Sequence, residues 1–399
     1  MKSTPIPIIQ VDSDSMHDIE VPGARDGQRV WVEVSQAGQV VGVVEAFTDG
    51  DLIRATTLTE QVKLLKPVVV SSIEMLDDSA LPRATVVVPT ICKDPERLAA
   101  AIDRLSDLDY PSYDIVVVDN RPDVRRSALP EFRDHDRVRS YWQPHRGVSA
   151  ARNKGIEEAT GDFVAFTDDD VLVDSRWLRE VATRFVRSPE VDAICGLVLP
   201  LELRTEPQLW FEEFFGGFNG TYSAELMSME LLKDDPLFPY ATGRFGAGCN
   251  IAFRRSVLIA KGGFDLTLGV GTPSRGGEDL ALMMRQVLTG GTVAFEPRAV
   301  VRHQHRESKE EFLSQVFGYG IGLSAMFTAL IVRDPRHLGR VMRRLPGGLR
   351  LLTKPREERS PSHRASYPKR VFAIHLLGMS LGPIAYARSV ARERRGSQA

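Results

Sequence analysis

Three consecutive aspartates, at positions 168–170, are the residues whose types and spacing most directly suggest chemistry. They follow the apolar run 163–166, which is typical of a buried strand. Packing does not require adjacent carboxylates, and their mutual repulsion opposes such an arrangement. A divalent cation removes that repulsion, and oxygen ligands suit Mg²⁺ or Mn²⁺, which commonly bridge to substrate phosphates. The alternative is a solvated acidic turn in which Asp170 or Asp174 caps the next helix.

Two further groups of residues could take part in acid–base or metal chemistry. Glu278 and Asp279 stand immediately before an apolar helical segment. Acidic residues at a helix start also interact favourably with the helix dipole, so this pair has a purely structural alternative. His303 and His305 follow the predicted strand 292–301. Taken as residues alone, they would be hydrogen-bonded histidines in the core or on the surface.

The elements that must position these side chains alternate between strand and helix from residue 83 onwards. The predicted strands, which are rich in β-branched residues, are 84–89, 113–119, 162–167 and 191–199. Helical signals lie between them, so the fold class is α/β with three layers and a mostly parallel sheet. Ligands bind such sheets beyond the carboxyl ends of the strands. That rule selects residues 89–94, 119–121 and 168–170.

The stretch from Thr85 to Arg306 resembles a family 2 glycosyltransferase with the GT-A fold. The segments that carry the resemblance are VVVPT (86–90), IVVVDN (115–120), GVSAARNKG (147–155), DDD (168–170), GCN (248–250), FRR (253–255), GGFD (262–265) and GGED (276–279). Each segment is weak alone, but together they are specific because they occur in the order of the family. The resemblance implies a Rossmann-like domain that binds a nucleotide-sugar.

The resemblance assigns the first half of this stretch to the sugar donor. It implies that Asp119 accepts a hydrogen bond from a uracil N–H, because a carboxylate accepts and does not donate; an aspartate that caps a turn is the alternative. Arg152 lies in the first turns of a predicted helix, whose N-terminus would attract the anionic groups of the donor. The alternative is that Arg152 braces the acidic cluster through an ion pair. The expected donor-binding residues are Pro89, Thr90, Asp119, Asn120, Gly147, Arg152, Asn153, Asp168 and Asp169.

The resemblance assigns the second half to the acceptor. In relatives with this motif the aspartate is the general base, so Asp279 would take the proton from the acceptor hydroxyl. Glu278 would orient that base or bind the acceptor. One base without an enzyme nucleophile implies a single displacement with inversion. The expected acceptor-binding residues are Gly248, Cys249, Asn250 and Gly277.

The resemblance also implies a divalent cation. Asp170 would hold the cation at the diphosphate, and Asp168 would contact the ribose and lie beside the cation. Some relatives use a histidine about two dozen residues after the catalytic aspartate as a further ligand, which favours His303 over His305. The expected metal ligands are therefore Asp168, Asp170 and His303, and the expected cofactor is Mn²⁺ or Mg²⁺.

The chain is expected to have three parts. Residues 1–80 would form a small β-rich domain, because 29–46 alternates about a turn in the pattern of a β-hairpin. Residues 83–306 would form the glycosyltransferase domain. Its donor half is 83–200 and its acceptor half is 201–306. Residues 307–399 would form a helical, basic C-terminal region.

The aromatic and glycine-rich segment 205–245 is either a sugar-stacking lid or a packed insertion. Cys92, Cys195 and Cys249 have neither metal-ligand nor disulfide spacing, which favours reduced thiols in a cytosolic protein. Cys249 has no adjacent base that would make it a nucleophile. The N-terminal residues lack the pattern of a secretory signal.

The C-terminal region contrasts in charge with the rest of the chain. From residue 333 onwards it holds 16 Arg or Lys against 4 Asp or Glu, while the whole chain has a net charge of -2. The uncharged stretches 312–332 and 371–387 approach the length of a membrane span, but glycine and polar residues interrupt them. We expect peripheral attachment to an anionic membrane surface at the cytoplasmic face. A single span, a soluble tail and an oligomer contact are the alternatives.

The composition of the chain excludes several classes of protein. With 43% hydrophobic and 26% charged residues, the chain is not a disordered or collagen-like protein, and its net charge carries no nucleic-acid signal. We expect a metal-dependent inverting glycosyltransferase that uses a nucleoside-diphosphate sugar, with UDP as the expected nucleotide. The acceptor would be a hydroxyl of a polysaccharide, a glycolipid or a small natural product. The alternatives are a non-catalytic carbohydrate-binding scaffold and a sugar-nucleotidyltransferase, whose triphosphate loop residues 89–94 match poorly.

Overall fold

The computed structural model of the chain describes residues 5–70, 74, 76–122, 129, 136–218, 221–353 and 369–396. Within these ranges the chain has an N-terminal β-rich unit, a central α/β domain and three C-terminal helices. Part of the basic segment expected between the last two helices, residues 354–368, lies outside the described residues.

The N-terminal unit consists of two small sheets and a helix. One sheet has the order β1-β3-β4, and its strands β3 and β4 form the predicted hairpin. The other sheet pairs β2 with β5. These elements are β1 (Ile8–Asp12), β2 (Ile19–Glu20), β3 (Arg29–Gln36), β4 (Gln39–Phe47), β5 (Leu52–Ile53) and α1 (Ala55–Val62).

The central domain is built on a nine-stranded sheet, counted over the described residues. Its order is β10-β14-β11-β13-β9-β6-β7-β8, and β12 pairs with β14. The strands are β6 (Ala84–Thr90), β7 (Tyr113–Asp119), β8 (Val138–Trp142), β9 (Phe163–Phe166), β10 (Val171–Val173), β11 (Val191–Pro200), β12 (Glu225–Met227), β13 (Ile251–Arg254) and β14 (Thr292–His303). The predicted α/β fold class is confirmed.

The sheet is mixed but mostly parallel, as predicted: six of the nine described strands, β6, β7, β8, β9, β11 and β14, run in one direction. Strands β9, β6, β7 and β8 are parallel, but β13 runs antiparallel between β9 and β11. Residues 228–250, which precede β13, contain turns and one short 3₁₀ helix instead of a crossover helix. A parallel strand needs a crossover connection, whereas β13 enters the sheet in the opposite direction without one.

Helices cover both faces of this sheet. Val86 and Val88 of β6 pack on one face with α2 and α4, while Val87 faces α3, α6 and α7 on the other. This alternation follows from the two-residue period of a strand. The helices of the domain are α2 (Pro95–Ser106), α3 (Val148–Glu158), α4 (Trp177–Arg187), α5 (Glu206–Trp210), α6 (Arg255–Lys261) and α7 (Glu278–Leu288). Helix α4 begins after Arg176, so Asp174 is not its N-cap; the Asp174 carboxylate accepts from the Arg176 backbone N–H instead.

The C-terminal helices are α8 (Lys309–Arg333), α9 (Arg336–Thr353) and α10 (Lys369–Gly396). Close packing of α8 against α10 depends on glycine, because a Cβ added at Gly320 would lie 2.3 Å from the His375 carbonyl oxygen. On another side of α8, a Cβ at Gly322 would lie 2.9 Å from the Gly276 carbonyl carbon. The helix is therefore packed directly on the loop that leads into α7.

Two helices, α8 and α10, are long and apolar enough to cross a membrane by length and composition. That criterion is weak for one or two helices, because core helices of globular domains also meet it. In this structure one face of α8 packs into the core of the central domain through Ala325, Met326 and Ala329.

The glycine contact between α8 and α10 predicts the effect of one methyl group. We expect Gly320→Ala to lower the free energy of unfolding by about 1–3 kcal/mol, because the new methyl group meets backbone atoms that cannot move aside. Gly339→Ala is the matched control in α9, since its Cβ would meet nothing within 4 Å. We expect that control to be neutral or to stabilise by about 0.5–1 kcal/mol. Urea denaturation measures both; equal effects of the two substitutions would show that the helices do not pack as described.

Candidate functional site

Arg152 lies at the centre of the site and contacts residues from both halves of the domain. Its guanidinium donates to Glu278 Oε1 at 2.8 Å, to Asp168 Oδ1 at 3.1 Å and to the Gly248 carbonyl oxygen at 3.2 Å. The side chain is 3% exposed, and its guanidinium lies over the ring of Phe264. Of the two roles expected for Arg152, these contacts correspond to the ion pair that braces the acidic cluster and not to a donor contact.

The acidic cluster follows β9, as its sequence suggests. Asp169 is half-buried and accepts from the Thr90 hydroxyl, and burial is the main cause that raises the pKa of Asp169 to about 6. Burial also raises the pKa of Asp170, against the opposing effect of Arg306. Asp168 faces Arg152 instead. The three carboxylates therefore have different surroundings, and Asp170 is the one that faces the histidines.

The second acidic pair begins helix α7. Gly277 precedes it with φ 85°, a conformation that favours glycine. Glu278 is buried against Arg152, and burial followed by the charge of Asp279 raises the pKa of Glu278 to about 7. Asp279 is partly exposed, and its carboxylate accepts from the Gly248 N–H at 2.7 Å and from the Leu280 N–H at 2.8 Å. Two backbone donors thus fix the carboxylate that was predicted to be the base.

Gly248 connects the two acidic groups through its backbone, since its N–H binds Asp279 and its carbonyl binds Arg152. A Cβ at this position would lie 2.9 Å from Asp279 Oδ2 and 3.0 Å from the Arg152 guanidinium. Any larger residue would therefore push the Asp279 carboxylate or the Arg152 guanidinium from its place. This close approach gives a physical reason for glycine in the segment GCN.

The histidines form a chain that ends on an acidic residue outside the predicted set. His303 Nε2 is 3.6 Å from Asp170 Oδ1, and His303 Nδ1 is 3.3 Å from His305 Nδ1. The other ring nitrogen of His305 is 2.7 Å from Glu212 Oε1. Burial is the main cause that lowers the pKa of His303 to about 3, so its imidazole is neutral.

Asp170 and His303 fit a divalent cation by donor chemistry and by spacing. Two ligands of one ion at roughly 2.1 Å each are at most about 4.2 Å apart, and the observed separation of 3.6 Å is shorter. A carboxylate and a neutral imidazole are both ordinary ligands of Mn²⁺. Over the residues that the structure describes, no set of three His, Cys, Asp or Glu side chains is arranged to hold a metal.

Three asparagines predicted to contact substrate have amides that are hydrogen bonded internally. The Asn120 amide bonds Gln143, His145 and Gly147 in the loop before α3. The Asn153 amide bonds the Phe264 backbone twice. The Asn250 amide bonds the Trp177 indole and the Leu197 and Ala299 carbonyls. These three side chains therefore support the loops. Their amides are bonded to the protein itself and do not point to a direct contact with a substrate.

Other predicted residues lie at the expected edge of the sheet. Pro89 is the penultimate residue of β6 and Asp119 is the last residue of β7. The Asp119 carboxylate forms a two-point ion pair with Arg121. Gly147, with φ 134°, is the residue before α3. Cys249 is buried, and burial raises the pKa of its thiol well above the ordinary range, so it is a poor nucleophile.

The sequence reasoning missed Arg121, Glu212 and Arg306. Arg306 Nη2 is 3.6 Å from Asp170 Oδ2 and was noted only as the end of the resemblance. Glu212 could have been singled out because it stands with Glu213 inside an otherwise aromatic run. Arg121 directly follows the segment IVVVDN, where a cation beside a buried aspartate is a reasonable expectation.

A comparison with protein families matches the first part of the central domain. Residues 85–260 match the model of the glycosyl transferase family 2. The chain carries a family 2 glycosyltransferase domain. The predicted resemblance is therefore confirmed, and with it the Rossmann-like GT-A fold class of the central domain.

Curated relatives extend this match. The chain is 30% identical over 228 residues to a pre-mycofactocin glycosyltransferase of Mycobacterium tuberculosis, which covers 55% of this chain and 43% of the relative. It is 28% identical over 206 residues to a glucosyl-dolichyl phosphate glucuronosyltransferase of Haloferax volcanii, which covers 51% of this chain and 62% of the relative. The chain thus spans about half the length of these relatives.

Solved structures similar to this chain include a mannosyltransferase from Pyrobaculum calidifontis in complex with GDP-Man and Mn²⁺. It has a TM-score of 0.48 and 18% identity, and the match covers 83% of this chain and 92% of that one. A second is TarS of S. aureus in complex with UDP-GlcNAc, with a TM-score of 0.42 and 18% identity over 79% of this chain and 92% of that one.

The buried ion pairs of Arg152 predict a large effect on stability. We expect Arg152→Met to lower the free energy of unfolding by about 3–5 kcal/mol, because Asp168 and Glu278 lose the cation that compensates them. Lys154→Met, two residues away in α3, removes partly exposed pairs and should cost about 1 kcal/mol or less. Adding Glu278→Gln to Arg152→Met should recover part of the loss. Urea denaturation measures all three variants; equal losses for Arg152→Met and Lys154→Met would contradict the bracing role.

Proposed function

We propose that the chain transfers a sugar from a nucleoside-diphosphate donor to an acceptor hydroxyl, with Asp279 as the general base. The observation that carries this proposal is that Arg152 and Gly248 join the acidic cluster after β9 to the acidic pair at the start of α7. The family 2 domain and the glycosyltransferase names of its relatives support the same reaction class.

The donor side of the proposal uses the carboxyl ends of β6, β7 and β9. Asp119 would accept from the base of the nucleotide, for which UDP is our candidate, and its pairing with Arg121 means that this arginine must share the carboxylate or move when the base binds. Asp168 would accept from the ribose. Pro89 and Thr90 would bring backbone next to the nucleotide.

The acceptor side uses the partly exposed carboxylate of Asp279. Its two backbone hydrogen bonds fix the orientation of this carboxylate. The acceptor oxygen attacks the anomeric carbon, its proton passes to Asp279, and the bond to the diphosphate breaks. One displacement of this kind inverts the anomeric configuration.

Asp170 and His303 would hold Mn²⁺ or Mg²⁺, with Asp168 close by. Bound there, the cation would neutralise the negative charge that develops on the leaving diphosphate. Arg306, beside Asp170, adds a positive charge from the chain itself at the same place.

We further propose that the acceptor is presented at an anionic membrane surface that helix α9 contacts. Leu338, Met342 and Leu345 are 51%, 56% and 40% exposed and recur at helical spacing. On a neighbouring face of the helix, His337 bonds the Tyr240 hydroxyl at 2.7 Å, so that face is turned to the protein. Exposed arginines at positions 336, 340 and 343 lie on the same helix, roughly 140–200° around its axis from Leu338. A helix that combines an exposed apolar stripe with exposed cations fits the interface of an anionic bilayer.

The general-base role predicts the behaviour of Asp279→Asn. We expect its turnover number to fall by roughly 10²–10⁴-fold, because the amide cannot accept the proton, while donor affinity stays unchanged. Release of nucleoside diphosphate from a panel of UDP-, GDP- and dTDP-sugars measures turnover, and isothermal titration with the active donor measures affinity. Glu157→Gln, an exposed residue of α3, is the control with unchanged activity. Turnover of Asp279→Asn within twofold of the wild type would rule out this base.

The membrane proposal predicts binding to lipid vesicles. The chain should sediment with vesicles of phosphatidylcholine and phosphatidylglycerol but not with phosphatidylcholine alone, and high salt should release it. Replacing Leu338 and Met342 by Gln should abolish the binding, whereas Ile259→Gln, an equally exposed apolar residue of α6, should leave it intact. Binding that is unaffected by the α9 substitutions, or no binding at low salt, would refute this role of α9.

A further inference from the structure

The residues between Asp170 and Glu212 form a continuous chain of polar contacts. It runs from the Asp170 carboxylate to His303, from His303 to His305, and from His305 to the Glu212 carboxylate. Both rings are buried, so water does not substitute for these partners. The order of donors and acceptors along the chain can therefore be worked out from one end.

When both rings are neutral, Glu212 determines which nitrogen of each ring carries the hydrogen. An ionised carboxylate only accepts, so the facing Nε2 of His305 must carry a hydrogen. A neutral His305 then has an unprotonated Nδ1, which can only accept. The facing Nδ1 of His303 must in turn donate, which leaves the Nε2 of a neutral His303 unprotonated.

This assignment places a lone pair of His303 opposite a carboxylate. The Nε2 lone pair and Asp170 Oδ1 face each other at 3.6 Å, and two acceptors in that position repel unless a cation lies with them. The pattern is the one found around metal-bound histidines, whose second ring nitrogen donates to a polar partner that sets the tautomer. Here that partner is a second histidine, which Glu212 sets in turn.

Glu212 is held in place by its local structure. It lies in a π-helical turn, Phe211–Phe215, that directly follows α5. The ring of Phe211 packs on His305 with centroids 4.6 Å apart, and the ring of Phe218 packs on His303 at 5.0 Å. Gly217 leaves space for the carboxylate, because a Cβ there would lie 2.7 Å from Glu212 Oε2.

The N-terminal β-rich unit is anchored next to two members of this chain of contacts, His303 and Glu212. Glu33 of β3 accepts from Arg302 at 2.9 and 2.6 Å, and Arg302 is the residue before His303. Arg29 of the same strand pairs with Glu213 at 2.6 Å, and Glu213 is the residue after Glu212. Glu33 is 1% exposed, so the ion pair with Arg302 is shielded from solvent. One strand of the N-terminal unit thus holds the backbone beside His303 and beside Glu212.

We propose that Glu212 and His305 are positioning residues that direct Nε2 of His303 towards Asp170 for a divalent cation, and that the N-terminal unit holds the two segments that carry them. The inference rests on the proposed function for its cation. It gives a role to the β-rich unit, which has no assignment from the family match at residues 85–260.

The first test is the tautomer of His303 in the metal-free chain. Long-range ¹H–¹⁵N spectra of protein labelled with ¹⁵N-histidine distinguish Nδ1–H from Nε2–H, and His303→Asn and His305→Asn assign the signals. We expect Nδ1–H for His303 and Nε2–H for His305. In Glu212→Gln the side chain can also donate, so we expect a mixture of tautomers at both rings. Nε2–H at His303 in the wild type would overturn the proposal.

The second test is the binding of Mn²⁺, followed by the electron paramagnetic resonance signal of the free ion. We expect Glu212→Gln to weaken binding by about 10–100-fold, as loss of an outer partner of a metal ligand does. Glu33→Gln should weaken it in the same direction. Glu206→Gln, an exposed residue of α5, is the matched control and should bind as the wild type does.

The outcomes separate this inference from the proposed function. If the wild type binds Mn²⁺ and Asp170→Asn abolishes binding while Glu212→Gln does not change it, the positioning role is wrong and the cation site stands. If Glu33→Gln alone has no effect, the role of the N-terminal unit is wrong. If the wild type binds no Mn²⁺, both the cation site and the inference fail, although Asp279→Asn still tests the base independently.

Discussion

The buried charge of Arg152 is the constraint on which the rest of the site depends. A guanidinium with 3% exposure is tolerated only when carboxylates compensate it, and those carboxylates come from β9 and from α7. One interaction therefore fixes the spacing between the acidic cluster and the predicted base. The same requirement explains Gly248, whose backbone binds both Arg152 and Asp279 and leaves no room for a side chain.

The parts of the chain outside the family 2 domain act on that centre from two directions. Helix α8 packs its Gly322 against the backbone of Gly276 and so supports the loop that starts α7. The N-terminal unit contacts the end of β14 through Glu33 and the π-helical turn through Arg29. Both additions contact segments that carry side chains of the proposed site, and both lie outside residues 85–260.

The sequence predicts this fold and site where periodicity and local chemistry coincide. Strands β6, β7 and β11 are continuous apolar runs, and the acids 168–170 directly follow β9, so their positions could be read directly. Strand β13 has four residues and no crossover helix before it, so its antiparallel direction could not be predicted from the sequence pattern. The inward hydrogen bonds of Asn153 and Asn250, and the contact of Glu212 with His305, join residues about 50 to 110 positions apart in the chain. Such pairings depend on tertiary packing, which residue types and spacing do not encode locally.

The most direct test of this account is a crystal structure of the chain with a nucleoside diphosphate and Mn²⁺. The account predicts that Arg152 still bridges Asp168 and Glu278 when the diphosphate is bound, and that Mn²⁺ contacts Asp170 and His303. A structure in which the guanidinium of Arg152 has left Glu278 to bind the diphosphate would contradict it, because Arg152 would then be a donor ligand and not the brace between the two halves.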